Sequence, residues 1–369
     1  MKVAIHVDGP TIRGNERQVM RIAVGLTARG HEVVVSCRAG GVVEAELRAL
    51  GIRTTGIRPR GDADLWNATA FVRWLRRERP DAVLLTSWVR AFIAGWCARV
   101  AGVPTIVFRI GSMQPIHRGV RGSLERHALR RWYHAVIANS RAVAERITGA
   151  LPEMADRVHV VVNGMEPHDP PVPTPLRADL GIPADAILAL AVGGLERNKG
   201  FDLLIDAAAG IPSVHVALAG GGTDAQRAEM EARARTRGVA DRIHFLGRRN
   251  DVPAVVAACD LFVLPSRAEG FSVALLEAMA DGRPIIAADV GGAWEGLAAR
   301  DGHPPAGWIV PRDDADALAA GLRAVVDALR AGDGEPAARA AEAKWRAENW
   351  FTLERMIEGY EAVLAGRAP

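Results

Sequence analysis

The sequence predicts an α/β protein of two doubly wound domains, and three observations carry that prediction. Short aliphatic runs alternate with amphipathic helical stretches, and the whole alternation occurs twice. Pro167, Pro170, Pro171, Pro173 and Pro175 interrupt the chain between the two series. The charge balance changes sign at the same place. Residues 1–165 hold 25 basic and 13 acidic side chains, whereas residues 166–369 hold 21 and 30.

In the first series, residues 3–7, 32–36, 82–86, 105–108, 135–138 and 158–162 read as strands. Helices such as 17–29 and 66–78 lie between them. In the second, strands fall at 187–192, 215–219, 243–245, 261–264, 284–287 and 307–310. Nearly continuous aliphatic runs mark strands buried on both faces, as in a parallel sheet. Alternating strands and helices imply right-handed crossovers. Each series is therefore Rossmann-like, and together they predict two sheets facing across a cleft. Proline fixes φ and removes a donor, so 167–175 reads as a linker. Gly332-Asp333-Gly334-Glu335-Pro336 breaks the last helical region. The tail from 337 to 364 is helical again, anchored by Trp345, Trp350, Phe351, Met356 and Tyr360. The expected division is 1–166, 167–345 and a C-terminal helix over 346–369 that packs back on the first domain.

Composition narrows the class. The chain has 369 residues, 49% hydrophobic and 24% charged, with a net charge of +3. That excludes a disordered or collagen-like chain. Cys37, Cys97 and Cys259 are too few and too scattered for a disulfide framework or a zinc site, which favours a reducing cytosol. No secretory signal opens the chain, and no apolar run is long enough to span a bilayer. Residues 117–133 hold Arg118, Arg121, Arg126, Arg130 and Arg131 against Glu125 alone, with Trp132 and Tyr133 beside them. This stretch is a candidate for peripheral contact with anionic lipid on the inner face of the cytoplasmic membrane; an anionic acceptor or a solvated face are the alternatives. Nucleic acid is disfavoured, because no binding motif accompanies the charge.

Two loops carry the chemistry. In the first, the strand 261–264 leads through Pro265-Ser266-Arg267-Ala268-Glu269-Gly270-Phe271-Ser272-Val273 into a helix, with Ser272 as N-cap. The free amides of that helix start form an anion site suited to a phosphate. Glu269 before the helix and Glu277 within it place carboxylates to accept hydroxyl hydrogen bonds. In the second, the strand 187–192 ends in Gly193-Gly194 and passes through Arg197 and Lys199. Glycine lets backbone approach a ligand, and the two cations suit a diphosphate leaving group. Lys199 is one of only three lysines, with Lys2 and Lys344. Gly222, and Gly247 followed by Arg248, mark further strand ends that should face the same ligand.

These pieces, in order, resemble the retaining GT-B glycosyltransferases of family GT4, also described as glycosyl transferases group 1. The matching segments are VNGM (162–165), VGGLERNKG (192–200), LAGGGTD (218–224), DRIHFLGRRNDVP (241–253), ACDLFVLPSRAEGFSVALLEAMADGRPII (258–286) and DVGGAWEGL (289–297). Glu269 and Glu277 match the family's E-x7-E spacing. Gly14-Asn15-Glu16-Arg17 and VIANSRAVAERI (136–147) extend the resemblance to the N-terminal half. The resemblance implies a nucleotide-sugar donor on the C-terminal domain and an acceptor on the N-terminal one. It implies retention of configuration through front-face attack assisted by the departing phosphate. Glu269 would bind the donor sugar and Glu277 the ribose. Amides near Gly270, Phe271, Ser272 and Val273 would meet the diphosphate or sugar, and Lys199 would stabilise the diphosphate. Gly14 would admit the donor. No metal and no cofactor are expected, and Asp62-Ala63-Asp64 is read as an exposed turn.

Two departures stand out. Relatives usually carry Arg where this chain has Gly194, and Arg197 is the expected substitute. Many relatives carry His where this chain has Arg109, which is either an anion-binding or a structural residue. Asn15, Arg109 and His117 are the acceptor-side candidates. The expected activity is metal-independent glycosyl transfer from a UDP-sugar, favoured over a GDP-sugar, to a glycan, lipid-linked glycan or small metabolite. A GT-B sugar-nucleotide epimerase and an inactive nucleotide-sugar-binding protein are the alternatives.

Overall fold

The computed structural model describes residues 1–57, 65–86, 91–113, 119–166 and 172–369. Asp62, Ala63, Asp64, His117, Arg118, Pro167, Pro170 and Pro171 lie outside the described residues. The chain forms two units: Met1–Gly164 with Leu353–Pro369, and Met165–Thr352.

Among the described residues the first unit holds seven strands: β1 (Lys2–His6), β2 (Glu32–Arg38), β3 (Arg53–Ile57), β4 (Ala82–Leu85), β5 (Thr105–Ile110), β6 (Ala135–Ala138) and β7 (Val158–Val160). All pair in parallel, in the order β3-β2-β1-β4-β5-β6-β7. Successive side chains of a strand point to opposite faces, so the sheet feeds two cores. Val3, Ile5, Val33 and Val35 meet α1 (Gly14–Ala28), α2 (Val42–Ala49) and α15 (Leu353–Leu364). Ala4, Val34, Val83 and Leu85 meet α3 (Leu65–Glu78), α4 (Ala91–Ala101), α5 (Gly119–Arg131) and α6 (Arg141–Ala150).

The second unit holds β8 (Ile187–Val192), β9 (Val214–Ala219), β10 (Ile243–Gly247), β11 (Leu261–Leu264), β12 (Ile285–Ala288) and β13 (Trp308–Val310). They are also parallel, in the order β10-β9-β8-β11-β12-β13. In each sheet the order reverses once, between β1 and β4 and between β8 and β11. Loops leaving the carboxyl ends of strands at such a reversal diverge and leave room for a ligand. The reversal in the second sheet falls between the two loops singled out in the sequence.

Three differences from the sequence reading have physical causes. The strand β3 was not expected, because its RTTGI run lacks the aliphatic character of a central strand. It lies at a sheet edge, pairs only with β2 and is half-exposed, so it needs no continuous apolar run. Next, the break near residue 332 is short: α13 (Ala315–Ala331) ends on left-handed Gly332, and Asp333 caps α14 (Gly334–Asn349). Finally, the chain returns to the first unit between Thr352 and Leu353, not at 345/346. The anchors divide accordingly. Phe351 packs on Phe271 of the second unit, while Met356 and Tyr360 belong to the first core.

Cys37, Cys97 and Cys259 are unpaired and buried. Burial pushes the Cys97 and Cys259 thiols up to about 12. Among the described residues no helix is long and apolar enough to cross a membrane.

Candidate active site

In the second unit the two sequence loops are knitted together at the reversal between β8 and β11. After β8 the chain passes Gly193 and Gly194 and makes a single 3-10 turn over Arg197–Lys199. It then enters α8 (Phe201–Ala209) through Gly200 at φ 69°. Only glycine fits there, because a Cβ would overlap the Pro265 carbonyl of the facing loop as well as strain the backbone. After β11 the chain runs from Pro265 to α11 (Val273–Ala280). Ser272 caps that helix, its Oγ accepting from the Leu275 amide at 3.4 Å. The first amides of a helix have no intrahelical partner, so those of Val273 and Ala274 remain donors at its positive end.

Lys199 and Glu269, 70 residues apart, are joined directly. Lys199 Nζ donates to Glu269 Oε1 at 2.6 Å, and Ser266 Oγ donates to the same oxygen at 2.9 Å. Both donors use Oε1, which leaves Oε2 turned to neither. The Glu269 side chain is 13% exposed and that of Lys199 25%, so the pair is sheltered yet reachable.

Arg267 fixes this geometry, and the sequence reading did not single it out. Its Nη1 and Nη2 donate to the two carboxylate oxygens of Asp202, each at 2.7 Å, and Nη1 also reaches the Arg197 carbonyl at 2.8 Å. Its Nε pairs with Asp313, and its backbone amide donates to the Asn198 carbonyl at 2.8 Å. One side chain thus ties the Glu269 loop to the Lys199 turn and to the start of α8. Burial alone would raise the Asp202 carboxyl, but the Arg267 guanidinium outweighs it and holds it below the usual carboxylate range. Ser266 and Arg267 stand inside the quoted PSRAEGF motif. The partners of Arg267, Asp202 and Asp313, carry no signal in the sequence.

The other expected residues divide by what they expose. Arg197 and Arg248 are exposed, and neither guanidinium has a hydrogen bond or ion pair among the described residues. Arg248 stands just beyond Gly247 at the end of β10, where its guanidinium would be in ordinary van der Waals contact with a Cβ on Gly221. Phe271 is buried against Phe351 and under Gly292, so its ring is packed away. The Gly270 carbonyl accepts from the Gly292 amide at 2.6 Å. Glu277 is buried inside α11. Lys199 methylenes run beside Gly193, Leu195 fills the space at Gly222, and the Glu196 carboxylate occupies the space that a side chain on Gly194 would need.

In the first unit, Gly14 and Asn15 open α1. Asn15 Oδ1 accepts from Arg109 Nη1, and Asn15 Nδ2 donates to Glu16 at 3.3 Å. Arg109 is 2% exposed, and its remaining bonds go to Tyr360 Oη at 2.7 Å and Asn163 Oδ1 at 3.0 Å. Of the two readings of Arg109, these contacts support the structural one. Among the described residues there is no group of three or more His, Cys, Asp or Glu placed to hold a metal ion.

Two family profiles match this chain. Residues 12–169 match Glycosyltransferase Family 4, and residues 186–328 match Glycosyl transferases group 1. The chain belongs to the family 4 glycosyltransferases. Among its relatives is D-inositol 3-phosphate glycosyltransferase of Xylanimonas cellulosilytica, 34% identical over 57% of this chain and 52% of that protein. The chain thus spans about half the length of that relative. Another is 2-deoxystreptamine N-acetyl-D-glucosaminyltransferase of Streptomyces fradiae, 29% identical over 97% of this chain and 92% of that one. The structure of Anabaena HepE in complex with UDP-glucose superposes with a TM-score of 0.85 at 23% identity, covering 99% of this chain and 100% of that one. That likeness assigns the GT-B fold to this family member.

Proposed function

We propose that this chain transfers a sugar from a nucleoside diphosphate sugar, a UDP-sugar in preference to a GDP-sugar, to an acceptor hydroxyl with retention of configuration. The observation that carries the reading is the Lys199–Glu269–Ser266 cluster beside the start of α11. A cation and free helix amides suit a diphosphate. A sheltered carboxylate with an oxygen to spare suits sugar hydroxyls. Arg197 and Arg248 add exposed positive charge at neighbouring strand ends, and Glu277 is assigned to the ribose. The HepE complex with UDP-glucose supports the choice of uridine. The Streptomyces fradiae relative, by its name, glycosylates 2-deoxystreptamine, which supports a small polyhydroxylated acceptor over a polymer.

In the proposed reaction the acceptor oxygen attacks the anomeric carbon from the side of the leaving group. The bond from that carbon to the diphosphate oxygen breaks, and the hydroxyl proton passes to the departing phosphate. Negative charge grows on the diphosphate as the bond breaks, so Lys199 and the α11 amides act most strongly at the transition state. These groups supply the neutralising charge without a metal ion in the scheme.

The test is calorimetric titration with UDP-, GDP- and dTDP-sugars, followed by nucleotide release. UDP-glucose should bind, and Lys199→Ala should weaken UDP about 10- to 100-fold, the worth of a charged hydrogen bond. Glu269→Gln should bind UDP almost normally yet lose turnover. If no nucleotide sugar binds, the reading is wrong. Binding without turnover would favour an inactive nucleotide-sugar-binding protein.

A further inference from the structure

We propose that His215 and His244 form a proton-operated latch, which holds the edge strand β10 of the second unit at neutral pH and releases it in acid. The strand β10 pairs only with β9. Their ladder is regular from Ile243 to Phe245 and then shifts register before Gly247. An edge strand on so short a ladder depends on its cross-strand side-chain pairs. On one face Val214, Val216 and Ile243 enter the core. His215 and His244 therefore point to the opposite face, where both are half-buried. His244 stands opposite Ala217, two residues beyond His215, so the two rings are diagonal neighbours across the strands.

The rings meet head to head. His215 Nδ1 and His244 Nε2 are 3.0 Å apart. The ring centroids are 5.3 Å apart and the planes differ by 9°. That separation is the nitrogen–nitrogen distance plus the two ring radii, so the rings lie edge to edge in nearly one plane. One ring donates its N–H and the other accepts with its lone pair. A first added proton keeps that bond, as a charged donor facing a neutral acceptor. A second sets two N–H groups against each other, and the bond is lost. The charges that reach the pair are Arg242 and Asp241, immediately before β10, and Arg177 on α7 (Leu176–Asp179), itself paired with Asp260. Arg242 donates to the Ile211 and Val214 carbonyls at 2.9 Å, which keeps its charge beside β9. Burial is the main cause that holds both rings below the ordinary histidine value of 6.5. The two arginines add to it at His215, and His215 adds to it at His244, against the pull of Asp241. With β10 released the rings are in water and titrate at the ordinary value. The released form therefore takes up protons first as pH falls. The latch is fully engaged above about pH 6.5 and weakens below it.

The test is amide hydrogen exchange of the full chain from about pH 7.5 to about pH 5, corrected for the intrinsic pH dependence of exchange. Protection of the β10 amides should fall below about pH 6.5, by about tenfold per pH unit for each extra proton that the released strand binds. The amides of β11, in the middle of the sheet, should keep theirs. His215→Gln and His244→Gln each remove one titrating ring, so the fall in either variant should be no steeper than about tenfold per pH unit. His159→Gln, which removes a histidine of β7 also held low by burial, should leave the β10 profile as in the parent. Imidazole NMR reads the rings directly. The parent pair should titrate in two steps below the ordinary value. The ring left in each single variant should titrate above the parent's second step, because no neighbouring imidazolium opposes it. The proposal is overturned if β10 protection does not fall in acid, or if His159→Gln changes it as much as the latch variants do. It is equally overturned if each ring titrates at the same pH with and without its neighbour. Circular dichroism at neutral pH shows whether the variants fold. Should neither fold, the parent's rings decide: two separated steps support the latch, and one shared transition near 6.5 overturns it.

Discussion

Two cations show how burial sets what a charged residue does. Arg109 is almost fully enclosed and directs its guanidinium to the neutral oxygens of Tyr360, Asn15 and Asn163. Lys199 is partly open and meets one carboxylate that a ligand can also address. Removing the first strands buried acceptors, so Arg109→Met should lower the unfolding free energy by about 3 kcal/mol in urea titrations. Lys199→Met should lower it by no more than about 1 kcal/mol, as for other partly exposed pairs, while weakening UDP binding. A reversed order would mean that Arg109 faces ligand and Lys199 is structural. Sequence alone left both residues as site candidates, because one arginine at the end of a strand looks the same buried or open.

At the scale of the element, the decisive contact is the clamp from the Glu269 loop to α8 through Arg267 and Asp202. The Asp202 carboxyl lies lower in the folded chain than its unfolded value of about 3.9. The unfolded chain therefore takes up the proton first as pH falls. The stabilisation is fully present above about pH 3.9 and is lost as pH drops through the lower folded value. Asp202→Asn should cost roughly 1–3 kcal/mol at pH 7, and the gap to the parent should close in acid below about pH 3.9. Urea unfolding at neutral and acidic pH measures both. A gap that stays constant down to pH 3 would exclude the clamp as its cause. The loops themselves were legible from their glycines, from the Ser272 cap and from the strand before each. Their connection was not, since Asp202 and Arg267 are far apart in sequence and carry no motif in common.

For the whole molecule, the last helix matters more than its length suggests. It returns Met356, Ile357, Tyr360, Val363 and Leu364 to the first unit's core, all at 2% exposure or less. Burying five such side chains contributes on the order of 10 kcal/mol, comparable with the total stability of a domain. A chain truncated after Thr352 should therefore lose the first unit's cooperative transition and keep the second's, as read by calorimetry. Two intact transitions would show that α15 is dispensable. The charge split has a related lesson. The second unit contains the proposed donor site although its half of the sequence carries more acid than base. An anionic ligand there would respond to Lys199, Arg197, Arg248 and the α11 amides, which act at close range, whereas net charge acts weakly through screening salt.

The sequence by itself determined the alternation of strands and helices, its repetition, and the two loops that begin at β8 and β11. Those signals are local: periodicity, capping and glycine act over a few residues. It also carried the family resemblance, because the motif order survives without knowledge of contacts. The tertiary structure decided the rest. It placed β8 beside β11 and so joined Lys199 to Glu269. It enclosed Arg109, added β3 at an edge, and sent the chain back to the first unit at Leu353. Each of these depends on which distant segments pack together, and in a single sequence that choice leaves no mark on the residues that make it.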